Sequence, residues 1–196
     1  MFYYLDGKVT ILEMNLAVID CGGVGYACNT TLATLSRLEV GKTARLYTYC
    51  NIKEDAFDIF GFASMSEKRC FELLLSVSGV GPKAALGILS ACTPDALAIA
   101  VVSDDVASLT RAPGVGKKLA QRVILELKDK VSKDAKAVAG NDFVPPAVTT
   151  AGGKSNEAAA ALAVLGYSAG EVATIMRRLD VENMTTEEII KAALKG

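Results

Sequence analysis

The sequence predicts a multidomain α+β protein, with an N-terminal five-stranded barrel of the oligonucleotide-binding (OB-fold) type followed by a helical domain, a flexible linker and a C-terminal three-helix module. Three observations lead to this prediction. Residues 1–63 are rich in β-branched and aromatic residues and contain repeated turn signals. Residues 64–132 change to helical spacing and contain a duplicated glycine motif. Residues 133–155 are rich in Ala, Gly, Val, Thr and Pro, and they separate this part from a last helical segment, residues 156–196.

Composition excludes several classes of function. Of the 196 residues, 51% are hydrophobic, which is enough for folded cores, and no apolar run reaches the length of a membrane span. The first residues predict no secretory signal, and the five cysteines are an odd number in apolar surroundings. We therefore expect a cytoplasmic protein whose cysteines are small buried hydrophobes. Histidine is absent, which excludes imidazole catalysis and histidine–metal ligation, and we expect no metal, no cofactor and no catalytic site.

Five segments of the N-terminal part have the composition of β-strands. Turn signals separate several of them. A short helix is predicted over residues 31–38, between the third and fourth strands, and this order of elements is typical of an OB-type barrel. The predicted strands cover residues 2–12, 15–20, 24–30, 43–51 and 56–62.

The tip of the last predicted β-hairpin is charged. Lys53, Glu54 and Asp55 lie between the fourth and fifth strands. On composition alone a solvated turn is favoured, because charged and turn-forming residues are common at such positions. The alternative is an acidic projection that repels phosphate groups.

Capping signals predict about five helices over residues 64–132. Ser64 is followed by an acidic residue at capping-box spacing, and Thr93 precedes a proline of the kind favoured in a first helical turn. Ser103 or Asp104 is predicted to cap the next short helix. We therefore expect a compact helical domain in this part of the chain.

Two matched glycine hairpins, residues 78–83 and 113–118, lie 35 positions apart in this domain. A glycine pair in a tight turn lets backbone N–H groups approach an anion, and the positive end of the following helix points to the same place. A lysine just inside that helix adds a full charge. We therefore predict two phosphate-binding hairpins that contact the DNA backbone without reading base sequence. The predicted DNA-binding residues are Gly79, Val80, Gly81, Lys83, Gly114, Val115, Gly116, Lys117, Lys118 and Arg122.

For each hairpin the alternative is a purely structural connector, in which glycine only turns the chain between two helices. The distribution of charge favours phosphate binding. The net charge is −1, but residues 64–132 contain nine basic and seven acidic side chains, whereas residues 1–63 contain five and seven. Residues 156–196 contain four basic and six acidic side chains. Among these three segments, only the one with the hairpins has a basic excess.

The C-terminal segment predicts three short helices. Its first apolar run ends near residue 165, and capping-box spacing begins the second helix at Ser168 and the third at Thr185. A small acidic helical unit behind a long linker is typical of a protein-docking module. The alternative is a helical cap on the second domain, which the long linker disfavours.

Nucleotide-binding and nucleophile motifs are incomplete. The second hairpin has part of a P-loop, but Arg111 occupies the position of a required glycine and Lys118 that of a required Ser or Thr. No Gly-Val-Gly segment continues to the third glycine of a dinucleotide fingerprint. We therefore expect no bound ATP, and without histidine no Ser/His/Asp or Cys/His nucleophile is possible.

The order of these features resembles one family, the RuvA proteins that recognise Holliday junctions in the bacterial branch-migration complex. The resemblance rests on the barrel, the paired hairpins, the linker and the terminal segment 165–167, and it covers nearly the whole chain. Further matching segments in the barrel are residues 24–26, 54–56 and 60–62.

The resemblance implies a homotetramer, or two tetramers face to face, that holds an open four-way DNA junction. Glu54 and Asp55 of each subunit would gather as an acidic pin that keeps strands apart at the crossover. The C-terminal module, with Leu162, Leu165 and Tyr167, would recruit the hexameric motor RuvB, which uses the ATP, and the nuclease RuvC would share the junction. The chain would then be a non-catalytic subunit of an ATP-dependent helicase complex in recombination, repair and the SOS response.

A base-excision DNA glycosylase is the alternative from another class, because such enzymes carry a helix-hairpin-helix with lysine at the position of Lys83 or Lys118. They also need a catalytic aspartate that lines a base pocket. Asp95, Asp104 and Asp129 fall on or beside predicted helices, without that setting. A generic scaffold without a DNA role is a third alternative, which the segment charges disfavour.

Overall fold

The N-terminal part of the chain is a closed five-stranded barrel in the computed structural model, which describes residues 1–138, 153–165, 167, 169–181 and 183–195. The five predicted strands are confirmed within a few residues at their ends, and so is the short helix after the third strand. These elements are β1 (Tyr4–Glu13), β2 (Leu16–Asp20), β3 (Gly25–Asn29), α1 (Leu32–Leu35), β4 (Thr43–Ile52) and β5 (Phe57–Phe62).

The strand order of the barrel is β1-β2-β3-β5-β4, and pairing of β1 with β4 closes it. Only the β3–β5 pair is parallel. Alternation in β1 and β2 places Leu5, Val9, Ala17 and Ile19 in the barrel core. Closure removes free strand edges, so the β4–β5 turn projects from a fully paired sheet.

Aromatic contacts join the barrel to the helix that follows it, α2 (Met65–Leu75). The ring of Phe71 is fully buried, and its centroid lies 5.4, 5.0 and 4.9 Å from those of Tyr49, Phe60 and Phe62. Phe60 and Phe62 thereby belong to the hydrophobic core of the helical domain. The barrel and the helical domain are therefore packed as one unit.

The helical domain contains the five predicted helices. Ser64 caps α2 by accepting the N–H of Glu67 at 3.2 Å, and α3 and α4 each begin at a proline. Thr93 occupies the N-cap position of α4 without a side-chain capping bond. The helices after α2 are α3 (Pro82–Ala91), α4 (Pro94–Val102), α5 (Val106–Thr110) and α6 (Lys117–Val138).

The predicted cap of α5 is wrong. Asp105, and not Ser103 or Asp104, caps this helix, because its carboxylate accepts the N–H of Ser108 at 3.1 Å. Asp104 has a φ of 58°, which turns the chain one residue before this cap. The carboxylate of Asp104 instead pairs with the ammonium group of Lys128 at 2.6 Å.

The predicted capping box at the start of α2 is only half formed. The carboxylate of Glu67 turns away from Ser64 and accepts hydrogen bonds from the hydroxyls of Thr31 and Thr34, the latter at 2.7 Å. Thr34 in turn accepts the N–H of Ala63 at 2.9 Å. These groups are buried, so the side chain that would cap a helix in isolation instead connects that helix to α1 of the barrel.

The C-terminal part contains the three predicted helices, α7 (Gly153–Val164), α8 (Ala169–Arg178) and α9 (Thr186–Lys195). The predicted capping box of Thr185 and Glu188 is complete, since each residue's N–H donates to the other's side chain, at 2.8 and 3.3 Å. The predicted cap at Ser168 lies outside the described residues. Helices α7 and α9 both contact α4, so these helices share a core with the helical domain.

Helices cover both ends of the predicted linker, residues 133–155. Helix α6 continues to Val138 and α7 begins at Gly153, so both are longer than the sequence pattern predicted. The remainder, residues 139–152, lies outside the described residues.

Within the described part of the chain, no single helix is long and apolar enough to cross a membrane. Helices α3 and α4 pass this test only as a pair, by length and composition, with a bend of 94° between them.

Candidate nucleic-acid interface

Each glycine hairpin is a tight turn between two helices, and both copies are built in the same way. In the first, the N–H of Val80 donates to the carbonyl of Val77 at 3.1 Å, and Gly79 has a φ of 85°. The second repeats the 3.1 Å bond, with Gly114 at a φ of 78°. Glycine adopts this left-handed conformation without the steric cost of a Cβ. The duplication seen in the sequence is therefore a duplication of structure.

Gly81 and Gly116 stand directly before α3 and α6, where no internal contact requires glycine. Neither has a positive φ, and a Cβ on either would meet no atom within 4 Å. No side chain caps α3 at Gly81. Since the first N–H groups of a helix have no intrahelical acceptor and lie at the positive end of its dipole, the missing Cβ leaves open access to an anion site.

Three lysines surround these helix starts. Lys83 lies in the first turn of α3, and Lys117 and Lys118 open α6. All three side chains are exposed, and none forms an ion pair with another residue in the described ranges. Both helix starts therefore combine free backbone donors with positive charge, which suits the phosphate groups of a nucleic acid.

The other predicted DNA-binding residues have different surroundings. Val80 and Val115 are 6% and 5% exposed, so they anchor the hairpins in the core. The Nη1 of Arg122 donates to the carbonyl of Ser78 at 3.3 Å. Glu126, which sequence reasoning missed, accepts the N–H of Ser78 at 3.2 Å. The available signal was its spacing four residues after Arg122, which places both on one face of α6.

The acidic tip is the turn between β4 and β5. The N–H of Lys53 donates to the carbonyl of Ala56 at 2.8 Å and closes the turn. The side chains of Glu54 and Asp55 are exposed and form no ion pair with a described residue. Two adjacent carboxylates thus stand at the end of a paired β-hairpin, where they repel phosphate groups.

Of the predicted docking residues, Leu162 belongs to α7, and Leu165 and Tyr167 follow the end of that helix. Leu162 and Leu165 have no exposed surface. Tyr167 is half-buried, with the guanidinium of Arg69 5.2 Å from its ring centroid, and Arg69 also pairs with Glu171 at 3.8 Å. Burial raises the pKa of the Tyr167 phenol. Partner docking by these residues stays a prediction, and for the two leucines it requires α7 to leave its present contacts.

Burial suppresses the reactivity of three of the five cysteines. All five are free thiols, and all but Cys21 are buried. Burial raises the pKa of Cys28 to about 12 and also raises the pKa of Cys70 and Cys92, so these thiols stay protonated. The prediction that the cysteines are small buried hydrophobes is confirmed for all of them except Cys21, which is partly exposed. Among the described residues, no group of three or more Cys, Asp or Glu could hold a metal ion.

The closed barrel, the acidic tip and the two lysine-bearing hairpins define a tandem helix-hairpin-helix protein joined to an OB-type barrel. Family models match three parts of the chain. Residues 1–61 match the RuvA N terminal domain, residues 71–129 the SAM-like helix-hairpin-helix tandem, and residues 153–196 the RuvA C-terminal domain. The chain belongs to the RuvA family.

Relatives match this chain from end to end. Three proteins named Holliday junction branch migration complex subunit RuvA illustrate this similarity. The one from Acetivibrio thermocellus is 43% identical, over 100% of this chain and 98% of its own length. Those from Ruminiclostridium cellulolyticum and Symbiobacterium thermophilum are 39% and 42% identical, over 100% of this chain and 100% and 98% of their own lengths.

Proposed function

We propose that this protein is the junction-binding subunit of a Holliday junction branch migration complex. It holds a four-way junction open and recruits a hexameric ATPase of the RuvB type, which drives branch migration during recombination and repair. The observation that carries the proposal is the presence of two matched phosphate-binding hairpins and one exposed acidic tip on a single packed unit. Full-length relatives that bear the corresponding name support it.

The two kinds of site have different tasks in this proposal. The hairpins hold duplex arms through backbone N–H groups and lysines, so they bind without sequence preference. Each phosphate that they neutralise adds about −0.9 to the slope of log affinity against log salt on duplex DNA. The tip binds nothing, because its carboxylates raise the energy of any arrangement that places phosphates beside them. Selectivity for a junction then depends on the tip, and affinity on the hairpins.

Assembly into a homotetramer, alone or as two tetramers face to face, brings four tips together. The base of the tip supports such an assembly. Ile52 and Phe57 are direct cross-strand partners there, and they are 66% and 54% exposed. Phe2 extends this apolar surface, with its ring 6.0 Å from that of Phe57. Neighbouring subunits around a common axis would cover these side chains.

The chain itself supplies no catalytic group in this proposal and binds no cofactor. ATP hydrolysis belongs to the motor, and strand cleavage to a nuclease of the RuvC type that shares the junction. The C-terminal helices provide the docking module for the motor. Because chromosomal junctions form in the bacterial cytoplasm, the proposal includes a cytoplasmic location.

The glycosylase alternative has less support. Asp104 is paired with Lys128, and Asp95 lies in the first turn of α4, where the helix dipole accounts for an acidic side chain. Asp129 is an exposed residue of α6. The barrel and the C-terminal helices also match family models that are specific to RuvA.

A gel-shift experiment tests the proposal. A four-way junction and a linear duplex of equal length are titrated at the same salt concentration, and cleavage of an abasic-site duplex is scored in parallel. We expect tighter binding to the junction and no cleavage. Equal affinity for both DNAs would contradict junction recognition, and strand cleavage would favour the glycosylase.

A further inference from the structure

The two hairpins differ at the residue before their first glycine. The second has Pro113 there, and the first has Ser78. Proline fixes φ and has no N–H, so the second turn is held in shape by its own sequence. Ser78 has a φ that no ring fixes and an exposed N–H that can donate a hydrogen bond. The first hairpin therefore lacks an internal restraint that the second one has.

Side chains of α6 provide this restraint from outside. Glu126 accepts the N–H of Ser78 at 3.2 Å, and Arg122 donates to the carbonyl of the same residue at 3.3 Å. Leu119 and Arg122 also approach the place of a Cβ on Gly79, at 3.7 and 3.5 Å. Positions 119, 122 and 126 share one face of α6. Both backbone groups of Ser78 are therefore held by a helix that begins at the second hairpin.

We propose that Glu126, assisted by Arg122, is a positioning residue for DNA binding. It holds the first hairpin in the conformation that exposes the N–H groups at the start of α3, as Pro113 does for the second hairpin. Because α6 starts at the second hairpin, the two phosphate sites are held at a fixed separation. This inference rests on the proposed function of the hairpins, and it assigns to Arg122 a structural task in addition to its positive charge.

A positioning role and a purely electrostatic role of Glu126 predict opposite changes in DNA affinity when its carboxylate is removed. A carboxylate beside a phosphate site repels DNA, so an electrostatic role alone means that removing its charge strengthens binding. A positioning role means that Glu126→Ala weakens binding, since the N–H of Ser78 loses its acceptor and the turn its restraint. Glu126→Gln keeps an acceptor oxygen and should bind at least as well as the wild type.

The test measures junction affinity by fluorescence anisotropy for the full-length wild type, Glu126→Ala, Glu126→Gln and the double variant Ser78→Pro/Glu126→Ala. We expect about fivefold weaker binding for Glu126→Ala, no loss for Glu126→Gln, and recovery in the double variant because proline removes the N–H and restores the restraint. Thermal melting is expected to change little, because the hydrogen bond is exposed. Ser78→Pro alone is the control.

Double-mutant cycles show which hairpin is responsible for the affinity loss of Glu126→Ala. In a variant that already carries Lys83→Ala in the first hairpin, Glu126→Ala should weaken junction binding no further. In a variant that carries Lys118→Ala in the second hairpin, the two losses of affinity should add. Stronger or unchanged binding of Glu126→Ala, or additivity with both lysine variants, would overturn the inference. Failure of the wild type to prefer a junction would instead contradict the proposed function, so the two failures are distinguishable.

Discussion

At the scale of single residues, the glycines before α3 and α6 are free to change without harm to the fold. A Cβ on Gly81 or Gly116 meets no atom within 4 Å. Asparagine at these positions can cap the helix with its own side chain and so occupy the N–H groups that a phosphate would need. We expect Gly81→Asn to bind a junction about tenfold more weakly, at a free energy of unfolding within about 0.5 kcal/mol of the wild type. Anisotropy and urea titrations check this prediction.

The matched variant Gly116→Asn should behave in the same way, because the two hairpins share their geometry. Gly79→Val is the contrasting control, since Gly79 helps form the turn itself with a φ of 85°, which a β-branched residue rarely adopts. That variant should lose stability as well as affinity. Undiminished junction binding by both Gly81→Asn and Gly116→Asn would show that phosphate does not approach the helix starts.

Asp105 gives a prediction about pH. The hydrogen bond from the Ser108 hydroxyl, followed by that from the Ser108 N–H, lowers the pKa of the Asp105 carboxyl. A lowered pKa in the folded state contributes stability above the unfolded pKa, and that contribution is lost as pH falls through the folded pKa. Asp105→Ala should therefore lower the melting temperature at neutral pH, and the difference should shrink in acid below the usual carboxyl range. An equal difference at all pH values would contradict this.

At the scale of elements, the contact between α1 and α2 depends on Glu67. Its carboxylate accepts both threonine hydroxyls in a buried site, so Glu67→Ala leaves Thr31 and Thr34 without their acceptor. We expect a loss of roughly 3 kcal/mol in the free energy of unfolding. Urea denaturation measures it. Ser36→Ala, which removes an exposed hydrogen bond to Ala33, is the control and should cost much less. Equal losses would mean that burial at Glu67 is unimportant.

Local patterns predicted the elements well because their causes are local. Alternating β-branched and aromatic residues indicated the strands, and the glycine hairpins were evident because the same turn occurs twice. The cap at Asp105 was missed because it depends on the left-handed conformation of Asp104, which no spacing rule shows. The length of α6 was underestimated because its last turns, up to Val138, fall in the segment whose Ala, Gly, Val, Thr and Pro content predicted a linker.

The site was predicted only in part because its supporting contacts are long-range. Glu67 has capping-box spacing, yet its carboxylate contacts threonines more than 30 positions away. Glu126 contacts Ser78 across 48 positions. Val80 and Val115 share the hairpin motif with the glycines, but they are buried, and a motif alone does not separate its anchoring residues from its exposed ones.

At the scale of the whole molecule, packing fixes the position of the acidic tip relative to the two hairpins. The ring of Phe71 packs on aromatic residues of β4 and β5, the two strands that carry the tip. The hairpins belong to the same hydrophobic cluster through Val80 and Val115. Hairpin variants should therefore weaken binding to junction and duplex in parallel, whereas tip variants should change the ratio of the two affinities.

The affinity ratio of junction to duplex in the variant Glu54→Gln/Asp55→Asn tests the central claim most directly. Both carboxylates are exposed and repel phosphate, so neutralising them should strengthen duplex binding by about tenfold, and junction binding by much less. The control Glu13→Gln/Glu39→Gln removes the same charge from exposed positions elsewhere on the barrel and should leave the ratio unchanged. A tip variant that keeps the wild-type ratio, or a control that lowers it equally, would contradict the assignment of selectivity to the acidic tip.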